Sequence, residues 1–504
     1  MKNIIEALQK QVIKNPNKII FGEETKEITY SDFFNLVKKI ATKLLKLKIN
    51  HQPVAIYMNK NIECLSAMFA CAYSNNYYTI IDSQTPVSRI TKIMDTLKPT
   101  VIITETETDN LVNENFSNYK VLKYIDAIDV DIDDNLIKEY FDKMIDTDPL
   151  YVLFTSGSTG TPKGTVVNHR SVISYITWFT EEFGITYKTI FANQTPFYFS
   201  MSVSDIFGTV FSGATFYIIP KVYFSFPIKL IEFMNEKKIN TIYWVPSAIA
   251  IVTNLKVFDY LKPNYLEKVM FAGEVMPTKK LNYWINALPN VEYANLFGPT
   301  ESTDICTFYK VNRTFKDDEA LPIGKPCNNC DVLVIKDDET LCRIDEVGEL
   351  YIRGSFLADG YYDNERKTKE VFVQNPLQKH YPEIVYKTGD LVKYNQNGEL
   401  IYLSRKDFQI KHMGYRIELG EIETALSSID KIKAGVMIYD EVSDKLIAIY
   451  EGKIKEEEVI KYIQNKLPYY MVPNKAIRIK QMFYNANGKI DRQYLKNNYQ
   501  KLED

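Results

Sequence analysis

Two spacings of apolar residues alternate early in the chain, and this alternation restricts the folds that the chain can adopt. Residues 30–47 repeat apolar side chains at every third or fourth position, which is typical of a helix, whereas residues 53–58 are a short apolar run typical of a buried strand. The same pair of patterns recurs over residues 61–82 and again over residues 88–104. Strands connected through helices pair into largely parallel sheets with helices on their faces. The sequence therefore predicts an α/β fold.

The pattern changes at about residue 320 to short strand-like runs separated by turns. Asn397-Gly398 is a strong hairpin signal within this region. Because 504 residues are too many for one compact domain, we predict a large N-terminal domain of mostly parallel α/β sheets over residues 1–405, with a β-rich subdomain over about 320–405. Residues 406–504 are predicted to form a small α+β domain. Its predicted elements are a helix over residues 417–428, strands over 434–439 and 445–450, and a helix over 456–467.

Composition excludes several classes of partner. The 61 basic and 64 acidic residues leave a net charge of -3, which provides no broad attraction to nucleic acid or to an anionic membrane. The longest apolar stretch, residues 211–220, is shorter than the roughly 20 residues of a membrane-spanning helix, and the first residues do not resemble a secretion signal. Six scattered cysteines favour reduced thiols, and Cys327 and Cys330 provide only half of a zinc site. We expect a cytoplasmic enzyme that binds neither nucleic acid nor membrane.

A loop rich in Gly, Ser and Thr follows an apolar strand-like run that begins at Tyr151. Gly157 and Gly160 allow the backbone to approach a ligand closely, and Lys163 adds a positive charge. Hydroxyl and amide groups for phosphate oxygens come from Thr155, Ser156, Ser158 and Thr159. A flexible linker has a similar composition, but it needs no buried strand beside it. The pattern predicts a phosphate-binding loop, and because Gly164 follows the lysine it is not a Walker loop.

This loop resembles the phosphate-binding signature of the adenylate-forming superfamily, which includes acyl-CoA synthetases, luciferases and the adenylation domains of nonribosomal peptide synthesis. Further segments resemble the family's motifs and occur in the family's order over nearly the whole chain. They are Ile28-Thr-Tyr30, residues 295–301, 348–354, 386–390, 405–411 and 414–423, and Asn487-Gly-Lys489. Residues 407–419 and 273–277 are most similar to the amino-acid branch, especially to free-standing D-alanine:carrier-protein ligases.

The resemblance implies that a carboxylate attacks the α-phosphorus of ATP, which yields an acyl-AMP and pyrophosphate. The acyl group then passes to the phosphopantetheine thiol of a carrier protein. In this family the loop that matches residues 155–163 holds the β- and γ-phosphates, the residue matching Thr300 contacts the α-phosphate, and the one matching Glu301 binds magnesium. Lys489 matches the lysine that bridges the incoming carboxylate and the α-phosphate. Such chemistry depends on positioned charges rather than on a nucleophilic side chain.

Other matching positions imply contacts with the nucleoside. Asn295 and Phe297 match residues that lie against adenine. Asp390 matches the aspartate that accepts hydrogen bonds from the ribose hydroxyls, although a Gly-Asp pair also suits a simple turn. Arg405 matches a residue that approaches the ribose and the phosphate.

The resemblance also implies a mobile C-terminal domain. The family turns this domain between adenylation and thioester formation about a hinge aspartate that matches Asp407. In the second arrangement Gly414 lines the channel for the phosphopantetheine thiol, and Lys489 is far from the chemistry.

The acid pocket departs from the amino-acid branch at two positions. Members of that branch usually carry Phe-Asp-x-Ser, whose aspartate pairs with the substrate's α-ammonium, but this chain has the neutral Ser200 there, and Ala272 stands where D-alanine ligases usually have cysteine. Either another acid binds the ammonium or the substrate has no α-amino group. Asp304 matches a position that lines the family's pocket and suits an amine placed elsewhere on the substrate; the alternative is a surface turn. The remaining candidates, which equally suit a core, are Met201, Ser204, Tyr243, Met270 and Leu296.

Two other functions stay open. An acyl- or aryl-CoA ligase shares the first half-reaction and uses free coenzyme A as its acceptor. A non-catalytic nucleotide-binding protein that retains the fold is expected to have lost key residues. All five of these are present: Lys163, Glu301, Asp390, Arg405 and Lys489. The leading hypothesis is an AMP-forming ligase, dependent on ATP and Mg2+, that loads a small carboxylic or amino acid onto a carrier protein.

Overall fold

The computed structural model describes residues 1–157, 161–406, 409–483 and 490–502. Contacts between residues divide the chain into two compact units. Unit 1 comprises Met1–Ser83, Lys98–Leu153 and Gly164–Lys406. Unit 2 comprises Gln84–Leu97, Phe154–Lys163 and Asp407–Asp504.

The helices of the described residues are α1 (Ile4–Lys14), α2 (Tyr30–Lys46), α3 (Ile62–Tyr73), α4 (Val87–Leu97), α5 (Thr106–Asn115), α6 (Tyr124–Ile128), α7 (Asp134–Phe141), α8 (His169–Glu182), α9 (Ser202–Ser212), α10 (Pro227–Glu236), α11 (Pro246–Asn254), α12 (Thr278–Ala287), α13 (Glu365–Val371), α14 (Leu419–Ser427), α15 (Glu456–Gln464) and α16 (Arg492–Asn498). Short 3-10 turns lie at Lys221–Phe224, Val257–Asp259, Thr300–Ser302, Tyr469–Met471 and Tyr499–Lys501.

The strands of the described residues are β1 (Ile19–Gly22), β2 (Glu27–Thr29), β3 (Pro53–Tyr57), β4 (Tyr77–Ile81), β5 (Val101–Thr104), β6 (Val121–Lys123), β7 (Pro149–Thr155), β8 (Lys163–Asn168), β9 (Ile190–Asn193), β10 (Thr215–Ile218), β11 (Thr241–Trp244), β12 (Lys268–Phe271), β13 (Glu292–Phe297), β14 (Thr307–Lys310), β15 (Lys325–Pro326), β16 (Cys330–Ile335), β17 (Gly348–Gly354), β18 (Gly360–Tyr361), β19 (Phe372–Gln374), β20 (Ile384–Tyr394), β21 (Leu400–Arg405), β22 (Gln409–His412), β23 (Tyr415–Glu418), β24 (Ile432–Asp440), β25 (Lys445–Gly452) and β26 (Lys475–Ile479).

Unit 1 contains two large sheets whose central strands are parallel. Within the described residues one sheet has the order β15-β14-β13-β12-β11-β9-β10-β1-β2, and the other has the order β18-β8-β7-β4-β3-β5-β6. The pairs β3–β4, β3–β5, β11–β12 and β12–β13 are all parallel, and helices connect their strands along the chain. The predicted α/β class is confirmed.

A smaller antiparallel sheet forms the β-rich part of unit 1. Its order is β16-β17-β20-β19, and β21 pairs with β20. The β20–β21 turn contains the predicted Asn397-Gly398 pair, and Gly398 has a φ of +74°, a left-handed conformation that favours glycine. This hairpin brings Asp390 opposite Arg405 in the strand register.

Helix α2 shows how the sequence builds the core of unit 1. It begins where the Thr29 side chain accepts a hydrogen bond from the amide of Asp32 at 3.1 Å, which satisfies one of the exposed donors of the first turn. Its apolar residues recur at helical spacing on one fully buried face: Phe33, Val37, Ile40 and Leu44. Full burial of each such side chain contributes about 1.5–3 kcal/mol to folding.

Unit 2 is built around the sheet β24-β25-β26, with α14, α15 and α16 in the same unit. One buried apolar cluster of this unit contains Val436, Ile438, Ile447, Ile449, Ile477, Ile479, Met482 and Leu495. Helix α4 also belongs to unit 2, where the guanidinium of Arg89 forms a buried ion pair with Glu421 of α14.

The helix predicted over residues 417–428 begins two positions later than expected, at Leu419. Residues Tyr415–Glu418 instead form β23, which pairs with β22 in a tight hairpin. Met413 and Gly414 form its turn, with φ values of +52° and +80°. The prediction was wrong at the first residues because this turn was not recognised. Within the described ranges, no helix combines the length and the apolar character that a membrane crossing requires.

Candidate active site

The carboxyl ends of β11, β12 and β13 bring several predicted pocket residues onto neighbouring strands of one sheet. Tyr243 lies opposite Met270 in the parallel register, and Met270 lies opposite Ala294. Ala272 directly follows β12, and Leu296 lies near the end of β13. All four predicted side chains, Tyr243, Met270, Ala272 and Leu296, are buried. Ligands of parallel α/β sheets bind at the carboxyl ends of the strands, so this edge is a suitable position for a binding site.

The chain leaves β13 through Gly298 and forms a buried 3-10 turn over Thr300–Ser302. A Cβ atom on Gly298 would lie only 2.3 Å from the backbone oxygen of Asp304, so glycine is required for this close approach. The turn holds Glu301 fully buried, and its carboxylate Oε1 accepts a hydrogen bond from the Tyr361 hydroxyl at 2.5 Å. The backbone carbonyl of Glu301 accepts from the amide of Ala358 at 2.9 Å.

Asp304 lies inside unit 1, two per cent exposed, and not in a surface turn. Three hydroxyl groups converge on its Oδ2 atom: Ser204 at 2.7 Å, Tyr175 at 3.0 Å and Tyr243 at 3.1 Å. Burial raises the pKa of Asp304 to about 6, while the hydroxyl donors act in the opposite direction because they stabilise the charged form.

Ser200 connects this carboxyl to the turn that carries Glu301. The hydroxyl of Thr300 donates to Ser200 Oγ at 3.3 Å, and Ser200 in turn hydrogen-bonds to the Asp304 side chain. Met201 and Ser204 lie one and four residues further along and are also buried, Ser204 on α9. The structure therefore brings Ser200, Ser204, Tyr243, Thr300 and Asp304 together.

A second group of predicted residues meets on the β20–β21 hairpin. Arg405 Nη1 donates to Asp390 Oδ1 at 2.7 Å, and Nη2 donates to the carbonyl of Thr388 at 2.9 Å. Both charged side chains of this ion pair are buried. On β13, the Phe297 ring lies 5.7 Å from that of Tyr402 on β21, which places an aromatic face beside the same hairpin. Asn295 donates to the carbonyl of Pro322 at 2.8 Å.

The described part of the Gly/Ser/Thr loop belongs to unit 2. Ser156 Oγ donates to the carbonyl of Arg416 at 2.6 Å and accepts from the amide of Glu418 at 3.1 Å, while the amide of Gly157 hydrogen-bonds to the Glu421 carboxylate. Thr155 Oγ1 is buried and has no hydrogen-bond partner within the described residues. Lys163, at the start of β8, is also buried.

Some predicted residues lie outside the described ranges. They are Ser158, Thr159 and Gly160 of the loop, the hinge candidate Asp407 and the catalytic candidate Lys489. Gly414 is described, and it occupies the second position of the β22–β23 turn.

Two residues of the site were absent from the sequence prediction. Tyr175 on α8 and Tyr361 on β18 donate to the two buried acids, Asp304 and Glu301. They are 129 and 60 positions away from those partners in the sequence. No local pattern marks them, because the helical spacing of α8 assigns Tyr175 to the core.

The chain is similar in sequence to a known enzyme family and to several known proteins. A family model described as "AMP-binding enzyme" matches residues 8–362, more than half of the chain. The chain is 30% identical to gramicidin S synthase 2 of Brevibacillus brevis over 98% of its own length, but it spans only 11% of that protein. It is 28% identical to the D-alanine--D-alanyl carrier protein ligase of Bacillus licheniformis, covering 98% of this chain and 99% of that protein.

A solved structure has the same fold. The Vibrio cholerae adenylation domain AlmE, in complex with glycyl-adenosine-5'-phosphate, superposes with a TM-score of 0.84 at 20% identity. The match covers 99% of this chain and 98% of that one. At this level of identity the likeness establishes the fold.

Proposed function

This chain belongs to the family of AMP-binding enzymes, and from that premise we propose that it activates a small carboxylic acid with ATP and Mg2+. The products of the first step are an acyl-AMP and pyrophosphate. The acyl group then passes to the phosphopantetheine thiol of a carrier protein. The observation that carries the proposal is the buried turn of Thr300 and Glu301, which lies one hydrogen bond from a polar pocket.

The adenylation step needs electrostatic stabilisation more than covalent chemistry. Negative charge accumulates on phosphate oxygens as the carboxylate attacks, so donors and cations must already be in place. We assign Thr300 to the α-phosphate and residues 155–163 to the β- and γ-phosphates. Lys489 is assigned to the oxygen atoms of the incoming carboxylate and of the α-phosphate, between which the new bond forms.

The nucleoside is assigned to the β13 and β20–β21 region. Asp390 would accept from the ribose hydroxyls, and its buried ion pair with Arg405 orients the carboxylate. Phe297 would provide an apolar surface for adenine, while Asn295 is already fixed by its bond to Pro322.

Glu301 is a suitable ligand for Mg2+ if phosphate oxygens of the nucleotide and water molecules supply the other ligands. Mg2+ is commonly held by one or two carboxylates together with phosphate oxygens and water. Glu301 is a buried carboxylate whose orientation is fixed by Tyr361. The described residues contain no group of three or more side chains that would hold a metal by themselves. When bound, the ion would neutralise phosphate charge and orient the leaving pyrophosphate.

The small domain is assigned the second step. We propose that residues 406–504 turn about Asp407 between the two reactions and that Gly414 lines the thiol channel in the second arrangement. The carrier-protein acceptor is supported by the D-alanine--D-alanyl carrier protein ligase among the relatives. The cytoplasmic location remains a prediction from the amino-acid sequence.

The test is pyrophosphate exchange with a panel of α-amino, β-amino, hydroxy and aryl acids, followed by presentation of the adenylated enzyme to acceptors. We expect Mg2+-dependent exchange with at least one acid, and transfer to a holo carrier protein but not to its apo form. Glu301→Gln should reduce the exchange by about 100-fold, since it removes a charged metal ligand.

Efficient transfer to free coenzyme A alone would identify a CoA ligase. ATP binding without exchange for any acid would identify a non-catalytic protein.

A further inference from the structure

We propose that the activated acid is a short amino acid and that Asp304 is the counter-ion of its ammonium group. This inference rests on the proposed function and specifies its substrate class.

Within the described residues, the contacts of the Asp304 carboxylate are with neutral hydroxyl groups and not with a basic side chain. Its Oδ2 atom accepts from three neutral hydroxyls, those of Tyr175, Ser204 and Tyr243. Ser200 is a further neutral group that hydrogen-bonds to this side chain. Among the described residues no lysine, arginine or histidine forms an ion pair with Asp304, although the carboxyl is two per cent exposed.

Two other buried acids of the chain are each paired with a guanidinium group. Asp390 is paired with Arg405, and Glu421 with Arg89. At Asp205, the residue after Ser204, burial raises the pKa to about 7, while a hydrogen bond from Asn193 at 2.7 Å and the charge of Lys60 act in the opposite direction. A buried carboxylate without a cation is costly, and hydroxyl donors offset only part of that cost. A ligand with a positively charged group would compensate the negative charge of the Asp304 carboxylate.

The position of Asp304 limits the distance between the ammonium and carboxyl groups of the ligand. Thr300 Oγ1 lies 3.3 Å from Ser200 Oγ, and Ser200 is one hydrogen bond from Asp304. The Asp304 carboxyl is therefore within roughly 6 Å of the Thr300 hydroxyl, since a hydrogen bond spans about 3 Å. Under the proposed function the substrate's carboxyl reacts near Thr300. Its ammonium and carboxyl groups are then separated by one to three carbon atoms.

Charge, and not only hydrogen bonding, should govern selection at this site. A hydroxyl group in the same place would form a hydrogen bond but leave the negative charge of Asp304 uncompensated. A methyl group would do neither, and it would also desolvate the carboxylate. Preference is therefore expected in the order amine, hydroxyl, methyl, because sites with buried polar groups reject ligands that leave them unpaired.

The experiment compares acids that differ only in their terminal group, by pyrophosphate exchange with the full chain. Amino, hydroxy and methyl forms are matched at three lengths, for example β-alanine, 3-hydroxypropionate and butyrate, with the glycine and 4-aminobutyrate series on either side. At one length or more, kcat/KM for the amine should exceed that for the methyl form by about 100-fold, the scale of a lost hydrogen bond to a charged group. This preference should fall as the pH drops through about 6, where Asp304 becomes protonated.

Asp304→Asn removes the charge while it keeps the shape, and it should abolish most of the amine preference, because exchange with the amino acids falls and butyrate-type acids no longer desolvate a charge. Asp205→Asn is the matched control, a buried aspartate one residue after Ser204, and it should keep the preference. Wild-type exchange with the hydroxy or methyl form as good as with the amine at every length would overturn the inference, whether or not the variant folds. Exchange only with small acids that have no amino group, such as an aryl acid, would also overturn the inference, but it would leave the proposed function standing. Absence of exchange with every acid would instead overturn the proposed function.

Discussion

Glu301 is fully buried, and the hydroxyl of one distant residue orients its carboxylate. Tyr361 donates to Oε1 at 2.5 Å from β18, a two-residue strand that reaches this position by pairing with β8. The motif around Glu301 is visible in the sequence, but the residue that orients its side chain is not. At the scale of single residues, the structure adds the neighbours of the predicted groups.

Tyr361→Phe tests this orienting contact, because the ring remains and only the hydroxyl is lost. We expect pyrophosphate exchange to fall by about 10- to 100-fold and the Mg2+ concentration that gives half-maximal exchange to rise, since loss of a hydrogen bond to a charged group costs about 1.5–3 kcal/mol. Tyr362→Phe is a matched control, whose hydroxyl contacts that of Tyr77 at 3.2 Å. Equal Mg2+ dependence in the two variants would refute the role of Tyr361.

At the scale of secondary-structure elements, a buried ion pair joins helix α4 to helix α14 within unit 2. Arg89→Met removes the guanidinium that pairs with Glu421 and leaves a buried carboxylate, which typically costs about 3–5 kcal/mol. We expect the unfolding midpoint of the full chain in urea to fall markedly. Adding Glu421→Leu to this variant should restore much of the loss, because an apolar pair needs no charge compensation. A double variant no more stable than the single one would contradict this explanation.

The elements themselves were largely predictable. The alternation of helical and strand-like spacing located α2, β3 and α3 within one or two residues, and Asn397-Gly398 located the β20–β21 turn. The start of α14 was missed because the Met413-Gly414 turn resembles no common hairpin dipeptide. Sequence motifs select Thr300 and Glu301 as site candidates, and their assignment to the phosphate and to magnesium stays a prediction. The site was not predictable where partners come from distant segments, as Tyr175 does for Asp304.

At the scale of the whole molecule, we expect that one substitution can slow adenylation and leave thioester formation nearly unchanged. Lys489→Ala removes the lysine assigned to the adenylation step, so pyrophosphate exchange should fall by about 100-fold or more while the Kd for ATP changes little. Transfer from a supplied acyl-AMP to the holo carrier protein should be nearly unchanged, because that step is assigned to the other arrangement of the small domain. Equal losses in both half-reactions would contradict a two-arrangement cycle. Lys496→Ala on α16 is the control, since its ammonium pairs with Glu441 at 2.8 Å and has no assigned part in either step.

The hydroxyl of Thr300 has one proton, and the 3.3 Å contact with Ser200 Oγ assigns that proton to Ser200. It cannot be given to a phosphate oxygen at the same moment. If Thr300 donates to the α-phosphate, as proposed above, its proton leaves Ser200, and the Ser200 oxygen loses a donor. An incoming N–H group supplies that donor, so binding of the nucleotide would prepare the pocket for an amine.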